Sequence, residues 1–152
     1  MLRYLLNKER FSWALYDWAN SAFWTTVVAG FFPIFFKSYW ASELDGPSSS
    51  AVLGSTNSIA GFCIVLMAPI LGTIADKAGA KKNFLVFFAL LGIIATGSFF
   101  FIPSGYWIVA SILFGVSLLG ASGSNIFYDS LIVDVSDEKN RNIISGFGYG
   151  LG

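Results

Sequence analysis

Long apolar stretches separated by short polar segments dominate the chain. Four of them are long enough to cross a bilayer as helices, which takes about 20 apolar residues each: residues 11–39, 51–75, 84–102 and 106–133. A further apolar stretch begins at about residue 143, and a more polar segment, residues 1–10, precedes the first. The pattern predicts an all-α membrane protein with four transmembrane helices and the start of a fifth.

Composition supports a membrane protein and argues against several kinds of chemistry. Of the 152 residues, 55% are hydrophobic and 12% are charged, about half the charged share of a soluble domain. The net charge is zero, which gives no basic field for nucleic acid. The chain has no histidine and a single cysteine, Cys63, so the usual general bases and zinc ligands are missing. We therefore predict a protein that is not an enzyme and uses no metal or cofactor.

The basic residues are distributed unevenly between the two sides of the predicted membrane protein. If successive spans alternate in direction, eight of the 9 Lys and Arg residues lie on the side of the N-terminus, and Lys37 alone lies on the other. Because Lys and Arg are retained in the cytoplasm, this asymmetry predicts a cytoplasmic N-terminus. The simplest location is the plasma membrane of a prokaryote.

Polar side chains interrupt the first span on one helical face. Asp17, Asn20, Ser21 and Trp24 are spaced at i, i+3, i+4 and i+7, which places them in one stripe. An ionisable residue within a span is costly in lipid and is a functional candidate by default. The stripe is expected to face other helices or water.

The fourth span repeats this arrangement near its own end, with Asn125, Tyr128 and Asp129 at i, i+3 and i+4. The predicted orientation places both patches in the cytoplasmic half of the membrane. We interpret them as a polar layer that lines a pathway for a small-molecule substrate or a coupling proton or cation. The competing interpretation is that Asp17 and Asp129 reach the headgroups and have only an interfacial role.

Small residues predict how the remaining spans pack. Pairs four residues apart in the second span allow close helix approach: Gly54/Ser58, Asn57/Gly61 and Ala68/Gly72. The third predicted span, residues 84–102, has almost no polar side chains, so we expect it to face lipid.

The connection between the second and third spans contains a recognisable pattern, in which glycines flank an acidic residue and a basic pair follows. Gly79 is suited to a left-handed turn, and Gly72 to a close helix contact. Asp76, near a helix end, is suited to accept hydrogen bonds from the N-terminus of another helix. Together with Lys81, these residues form a candidate conformational latch.

This segment resembles the signature loop of the major facilitator superfamily, Gly-x-Leu-Ala-Asp-Arg-x-Gly-Arg-Lys. The matching residues are Gly72, Ala75, Asp76, Gly79 and Lys81. The chain departs from the pattern at Ile74, Lys77 and Ala80, and its fourth span lacks the arginine that many members place there.

Residues 13–23, 32–36 and 125–152 resemble the vacuole-effluxer-like branch of that superfamily, also called the unknown major facilitator group. The resemblance implies two six-helix bundles, of which this chain would be an N-terminal fragment partnered by the remaining helices. It also implies a secondary transporter of small solutes that works by alternating access, with amino acids as the substrate class.

Two other functions are compatible with parts of the sequence. The Tyr-Asp pairs at residues 16–17 and 128–129 are reminiscent of the paired aspartates of an intramembrane aspartyl protease, but the Gly-x-Gly-Asp context of those enzymes is absent. A four-span protein complete at this length would instead act as an oligomeric channel or assembly subunit. The abrupt apolar, glycine-rich ending of the chain favours the transporter.

Overall fold

The computed structural model describes residues 7–150, with the backbone alone described at Lys77 and Ala78. Among the described residues, four helices are long and apolar enough to cross a membrane. The first span is Lys8–Trp40, and the second, third and fourth spans lie in the helical segments Gly46–Ala78, Lys81–Phe101 and Trp107–Val135. A shorter fifth helix, Arg141–Tyr149, follows. No strand occurs among the described residues, so the predicted fold class is confirmed. Residues 1–6 and 151–152 of the predicted N-terminal segment and fifth span lie outside the described residues.

The first span is a continuous helix that changes type along its length. It is α-helical over Lys8–Ala22, π-helical over Phe23–Phe31, α-helical over Phe32–Phe35 and π-helical again over Phe36–Trp40. In a π-helix each N–H bonds to the carbonyl five residues earlier, as the Phe32 N–H does to Val27. The wider turn rotates the side chains relative to an α-helical register. The face that is polar at one end therefore does not continue straight along the helix.

Local signals explain the ends of the second span. Asp45 precedes its first turn and accepts a hydrogen bond from the Ser48 N–H, and Pro47 occupies the first turn, where no N–H is needed. At the other end Gly79 adopts a left-handed conformation with φ of 59°. The third span begins two residues later, at Lys81, so the two spans form a hairpin with a very short connection.

The third and fourth spans form a seam at which their backbones nearly touch. A Cβ atom added to Gly120 would lie 2.8 Å from the Phe88 carbonyl oxygen and closer still to the Gly92 backbone. Phe88, Gly92 and Ala95 are buried, whereas the third span exposes Phe87 and Ile94 on its other side. The expectation that the third span faces lipid is therefore wrong for one face, because its small residues admit the fourth span.

The glycines of the second span behave differently. Cβ atoms added at Gly54, Gly61 or Gly72 would meet no atom within 4 Å in the described part of the chain. The close contact predicted for these glycines is not made within the described residues, although the second span packs against the fourth through other residues, including the buried Ala60. Among the glycines of the fourth span, Gly115 lies near the second span: a Cβ atom added to Gly115 would be 3.6 Å from the Thr56 side chain.

An aromatic cluster joins the first and fourth spans at the end of the bundle that contains Lys37. The rings of Phe32 and Phe114 stack with centroids 3.8 Å apart, and Phe36 and Phe99 pack around them. Trp40, almost fully buried, donates a hydrogen bond from its indole N–H to the Ile102 carbonyl at 3.1 Å. We call this the apolar cluster. We call the opposite end of the bundle, where the first span begins, the basic end.

Candidate functional site

A direct hydrogen bond connects the polar patches of the first and fourth spans. The Asn20 side-chain N–H donates to the Asn125 side-chain oxygen at 2.7 Å, between residues 105 apart in sequence. Both side chains are half-buried. A hydrogen bond between two side-chain amides is the arrangement expected where polar groups pack between helices and not against lipid.

One turn towards the basic end, Tyr128 lies in an aromatic stack between the same two spans. Its ring stacks on Trp13 with centroids 4.4 Å apart and on Tyr16 with centroids 5.2 Å apart. The Trp13 indole N–H donates to the Tyr128 carbonyl oxygen at 3.0 Å. Tyr128 is 2% exposed, and its hydroxyl has no hydrogen-bond partner among the described residues.

Asp17 and Asp129 lie beside this stack, within electrostatic range of each other. Asp17 is half-buried, and Asp129 is exposed. The Tyr149 hydroxyl of the fifth helix donates a hydrogen bond to Asp129 Oδ1 at 3.1 Å. Neither carboxylate forms an ion pair with a Lys or Arg residue in the range that the structure describes. The structure thus brings together Asp17, Asn20, Asn125, Tyr128 and Asp129.

Two members of the predicted stripe lie apart from these contacts. The Ser21 side chain is half-buried and makes no hydrogen bond to the fourth span; its carbonyl accepts one from Thr25 at 2.9 Å. Trp24 packs against the apolar cluster instead of joining the polar residues. Trp24 lies in the π-helical segment, where the α-helical spacing no longer applies.

A cavity of about 460 Å³ lies between the first, third and fourth spans. Its lining is mostly small and apolar, and includes Ala19, Ala89, Gly92 and Ala121. Asn20 and Ser124 also line it, and Ser124 already donates to the Ala121 carbonyl at 2.8 Å. Sequence reasoning missed the contribution of the third span, whose lining residues carry almost no polar signal.

The fifth helix and the start of the first span pack against each other at the basic end. Gly148 lies so close to Trp13 that an added Cβ would be 3.0 Å or less from the indole ring. Arg10 donates from Nε to the Val135 carbonyl at 3.0 Å, and its guanidinium lies 3.8 Å from Asp137. These contacts join the start of the first span to the end of the fourth span, to the connection that follows it and to the fifth helix.

The candidate latch residues lie at the same end. Lys81 Nζ is 3.2 Å from Asp76 Oδ1 and 3.6 Å from Asp134 Oδ2, so one lysine bridges the hairpin to the end of the fourth span. The Asp76 side chain is 64% exposed, which limits what this bridge contributes to stability. Sequence reasoning missed Asp134, the second partner of Lys81. Gly72 faces open space within the described residues.

Comparison with known protein families supports the resemblance seen in the sequence. The family model described as vacuole effluxer Atg22 like matches residues 46–142, more than half of the chain. The chain belongs to the Atg22-like family. The matched region includes the hairpin with Asp76 and Lys81 and the whole fourth span, with Asn125, Tyr128 and Asp129.

Two relatives extend the likeness of this Atg22-like chain. An uncharacterized MFS-type transporter of Bacillus subtilis (strain 168), YxiO, is 46% identical over 146 residues, 95% of this chain and 34% of that protein. An uncharacterized protein of Aquifex aeolicus (strain VF5) is 26% identical over 141 residues, 93% of this chain and 34% of its own length. The chain thus spans about a third of the length of these curated relatives. No solved structure matches it.

Proposed function

We propose that this chain supplies the first helices of a secondary transporter that moves small solutes across a membrane by alternating access. The observation that carries the proposal is the polar contact between the first and fourth spans, Asn20 to Asn125 at 2.7 Å, inside otherwise apolar helices. Intramembrane polar groups of this kind mark substrate and ion pathways. Membership of the Atg22-like family and likeness to an MFS-type transporter support the same function.

The pathway in this proposal is lined by Asp17, Asn20, Ser21, Asn125, Tyr128 and Asp129. Amino acids are the proposed substrate class, moved with a coupling proton or cation. The remaining helices of the same protein complete the pathway, and the surrounding lipid covers the apolar faces. The proposal includes no catalytic residue.

A flux measurement tests the transport proposal. The complete native protein, reconstituted in proteoliposomes, is expected to exchange labelled L-leucine, and Asp17→Asn is expected to reduce this exchange by about tenfold or more. Glu138→Gln, which changes an exposed carboxylate at the basic end, serves as the matched control. No exchange of any amino acid by the unaltered protein would contradict the substrate class. Unchanged exchange in Asp17→Asn would remove Asp17 from the pathway.

We further propose that Gly72, Asp76, Gly79 and Lys81 act as a conformational latch. The bridge from Lys81 to both Asp76 and Asp134 supports this role, because it connects two segments through one charged group. Lys81→Met is expected to change the fraction of protein accessible to a membrane-impermeant thiol reagent at a cysteine placed at Ser21. Lys139→Met is the control. Identical labelling of the cysteine at Ser21 with and without Lys81→Met would contradict the latch.

The proposed topology places the N-terminus in the cytoplasm of a prokaryotic cell, in the plasma membrane. It is supported by the gathering of Lys and Arg residues at the basic end. In a Cys63→Ser background, a cysteine at Ser42 is expected to react from outside intact cells, and one at Lys139 only after the membrane is opened. The reverse pattern would invert the topology.

A further inference from the structure

Among the described residues, one buried side-chain polar group lacks a hydrogen-bond partner, and it lies among ionisable side chains. The Tyr128 hydroxyl makes no hydrogen bond with any described residue, although Tyr128 is 2% exposed. It lies within electrostatic range of Asp17, Asp129, Tyr16 and Tyr149. Leaving a buried hydroxyl unpaired costs about 1–3 kcal/mol, so such a group in a folded protein requires an explanation.

Asp17 and Asp129, the carboxylates near the Tyr128 hydroxyl, carry negative charge that no described cation balances. Arg10, the basic residue of the first span nearest to it in sequence, donates to the Val135 carbonyl and pairs with Asp137. Lys81 is engaged by Asp76 and Asp134. Charged groups within a membrane are normally paired, and no Lys or Arg side chain that the structure describes pairs with Asp17 or Asp129.

The chemistry of the surrounding side chains narrows the kind of cation. The described residues contain no group of three or more His, Cys, Asp or Glu side chains that could hold a metal ion. The cluster offers carboxylate oxygens, a phenol oxygen and aromatic rings, of which Tyr16 is half-exposed and Tyr149 exposed. An ammonium group has three N–H donors for such oxygens and is attracted to aromatic faces.

We propose that Asp17, Asp129 and the Tyr128 hydroxyl form a subsite for the ammonium group of a transported solute. This inference rests on the proposed transport function and specifies which part of the solute binds here. Tyr149 positions Asp129 through its hydrogen bond to Oδ1, leaving Oδ2 to face the ligand. The ammonium group belongs either to an amino acid, whose carboxylate is bound elsewhere in the protein, or to a simple amine.

A thermal-stability assay with three matched probes tests the subsite. The complete native protein in detergent, in a buffer free of primary amines, is mixed with 3-methylbutylamine, L-leucine or 4-methylpentanoate. These share a branched carbon chain and carry an ammonium group, both charged groups, or a carboxylate alone. The amine is expected to raise the melting temperature, and 4-methylpentanoate is not. A shift with L-leucine as well identifies an amino acid as the source of the ammonium group, and its absence identifies an amine.

Tyr128→Phe provides the sharper test, because the proposal predicts effects of opposite sign. Removing an unpartnered buried hydroxyl is expected to raise the melting temperature without ligand and to weaken binding of the amine by about tenfold or more. Tyr106→Phe, which alters a tyrosine 58% exposed near the opposite end of the bundle, is expected to change neither. Asp17→Asn is expected to abolish the shift produced by the amine.

Several results would overturn the subsite. These are no shift with the amine, an equal shift with 4-methylpentanoate or with sodium chloride alone, or a Tyr128→Phe protein that melts lower and binds the amine normally. Labelled-solute flux through the same preparation separates the two proposals. Flux with no amine binding rejects the subsite alone, whereas the absence of any flux rejects the transport function.

Discussion

The fourth span contacts its two neighbours in contrasting ways. Against the third span it presents Gly120 and Gly123, so that backbone lies on backbone and a ring of Phe88 fills the remaining space. Against the first span it presents side chains: a stacked pair of phenylalanines at one end and the Asn20–Asn125 hydrogen bond towards the other. The cavity of about 460 Å³ borders the first-span contact.

This contrast indicates which helices form a fixed unit. In lipid, helix association depends on packing and hydrogen bonds, since the surrounding solvent is itself apolar. A seam in which glycines admit a backbone has no room for another arrangement, whereas a contact made by side chains can be remade with other rotamers and partners. We expect the third and fourth spans to move as one body, and the first span to be the member that shifts.

The largest effect is expected at the tight seam. Gly120→Ala places a methyl group against the Gly92 backbone and the Phe88 carbonyl, neither of which yields as a flexible side chain does. The added methyl group forces the two helices apart, and the free energy of unfolding is expected to fall by about 3 kcal/mol, the upper part of the range for overpacking. Unfolding in mixed micelles measures this loss. Gly97→Ala, on the third span, is the control, because its added Cβ would meet no described atom within 4 Å. Equal stability of the two variants would refute a close-packed seam.

A smaller loss is expected where the first and fourth spans meet through aromatic rings. Phe114→Ala removes the ring that stacks on Phe32 at 3.8 Å. Moving the ring from its packed site into lipid costs little, because lipid is itself apolar. Most of the expected loss in the free energy of unfolding, about 2 kcal/mol, therefore comes from the cavity that the ring leaves behind. Phe100→Ala, at a side chain 88% exposed, is expected to change the free energy of unfolding by much less. Similar losses in both variants would mean that the stack adds nothing to the contact.

The fifth helix offers a matched pair of glycines. Gly148→Ala pushes a methyl group into the Trp13 ring, whereas the methyl group of Gly146→Ala would meet no atom within 4 Å in the described part of the chain. Displacing Trp13 also strains its hydrogen bond to the Tyr128 carbonyl, so a loss of about 1.5 kcal/mol is expected for Gly148→Ala alone. Tryptophan fluorescence and thermal melting report the change. Indistinguishable behaviour of the two variants would place the fifth helix away from the first span.

The hydrogen bond between Asn20 and Asn125 is the polar part of the contact between the first and fourth spans, and it is expected to contribute little to stability. A double-mutant cycle with Asn20→Ala and Asn125→Ala is expected to give a coupling energy of about 0.6 kcal/mol, typical of hydrogen bonds between membrane helices. A coupling energy comparable to the cost of Gly120→Ala would contradict the distinction between the two contacts. A small value together with a large loss of flux would assign the pair to function.

The smallest effect is expected at the start of the second span, where the capping groups are exposed. Hydrogen bonds from the Ser48 side chain and backbone N–H lower the pKa of Asp45. A lowered folded-state pKa means that the cap stabilises the protein above the ordinary carboxylate range and that this contribution is lost as the pH falls through the lowered pKa. Asp45→Asn keeps a capping oxygen and is expected to remove this part of the acid dependence. An unchanged acid dependence would show that Asp45 is not the group responsible.

The sequence predicts the spans and part of the candidate site, because both depend on local features of the chain: the length of apolar stretches and the spacing of polar residues. Apolar length identifies the four helices, and α-helical spacing places Asn20 on the same face as Asp17. The same spacing fails for Trp24, because the helix becomes π-helical from Phe23 onwards. Which glycine meets a helix is a tertiary property. Gly92 and Gly61 look alike in sequence, yet only Gly92 is covered among the described residues.

The π-helical segment Phe23–Phe31 has a consequence for comparing relatives. A hydrogen-bonded ring closed over five residues holds one residue more than an α-helical turn, so the segment amounts to an insertion that the helix absorbs without a break. A homologue with a regular α-helix here would be a residue shorter, yet would keep its outer aromatic residues in place. Sequence alignments that forbid gaps inside helices would then pair residues that lie about 100° apart around the first span. Structure-guided gaps within residues 23–31 are the appropriate treatment.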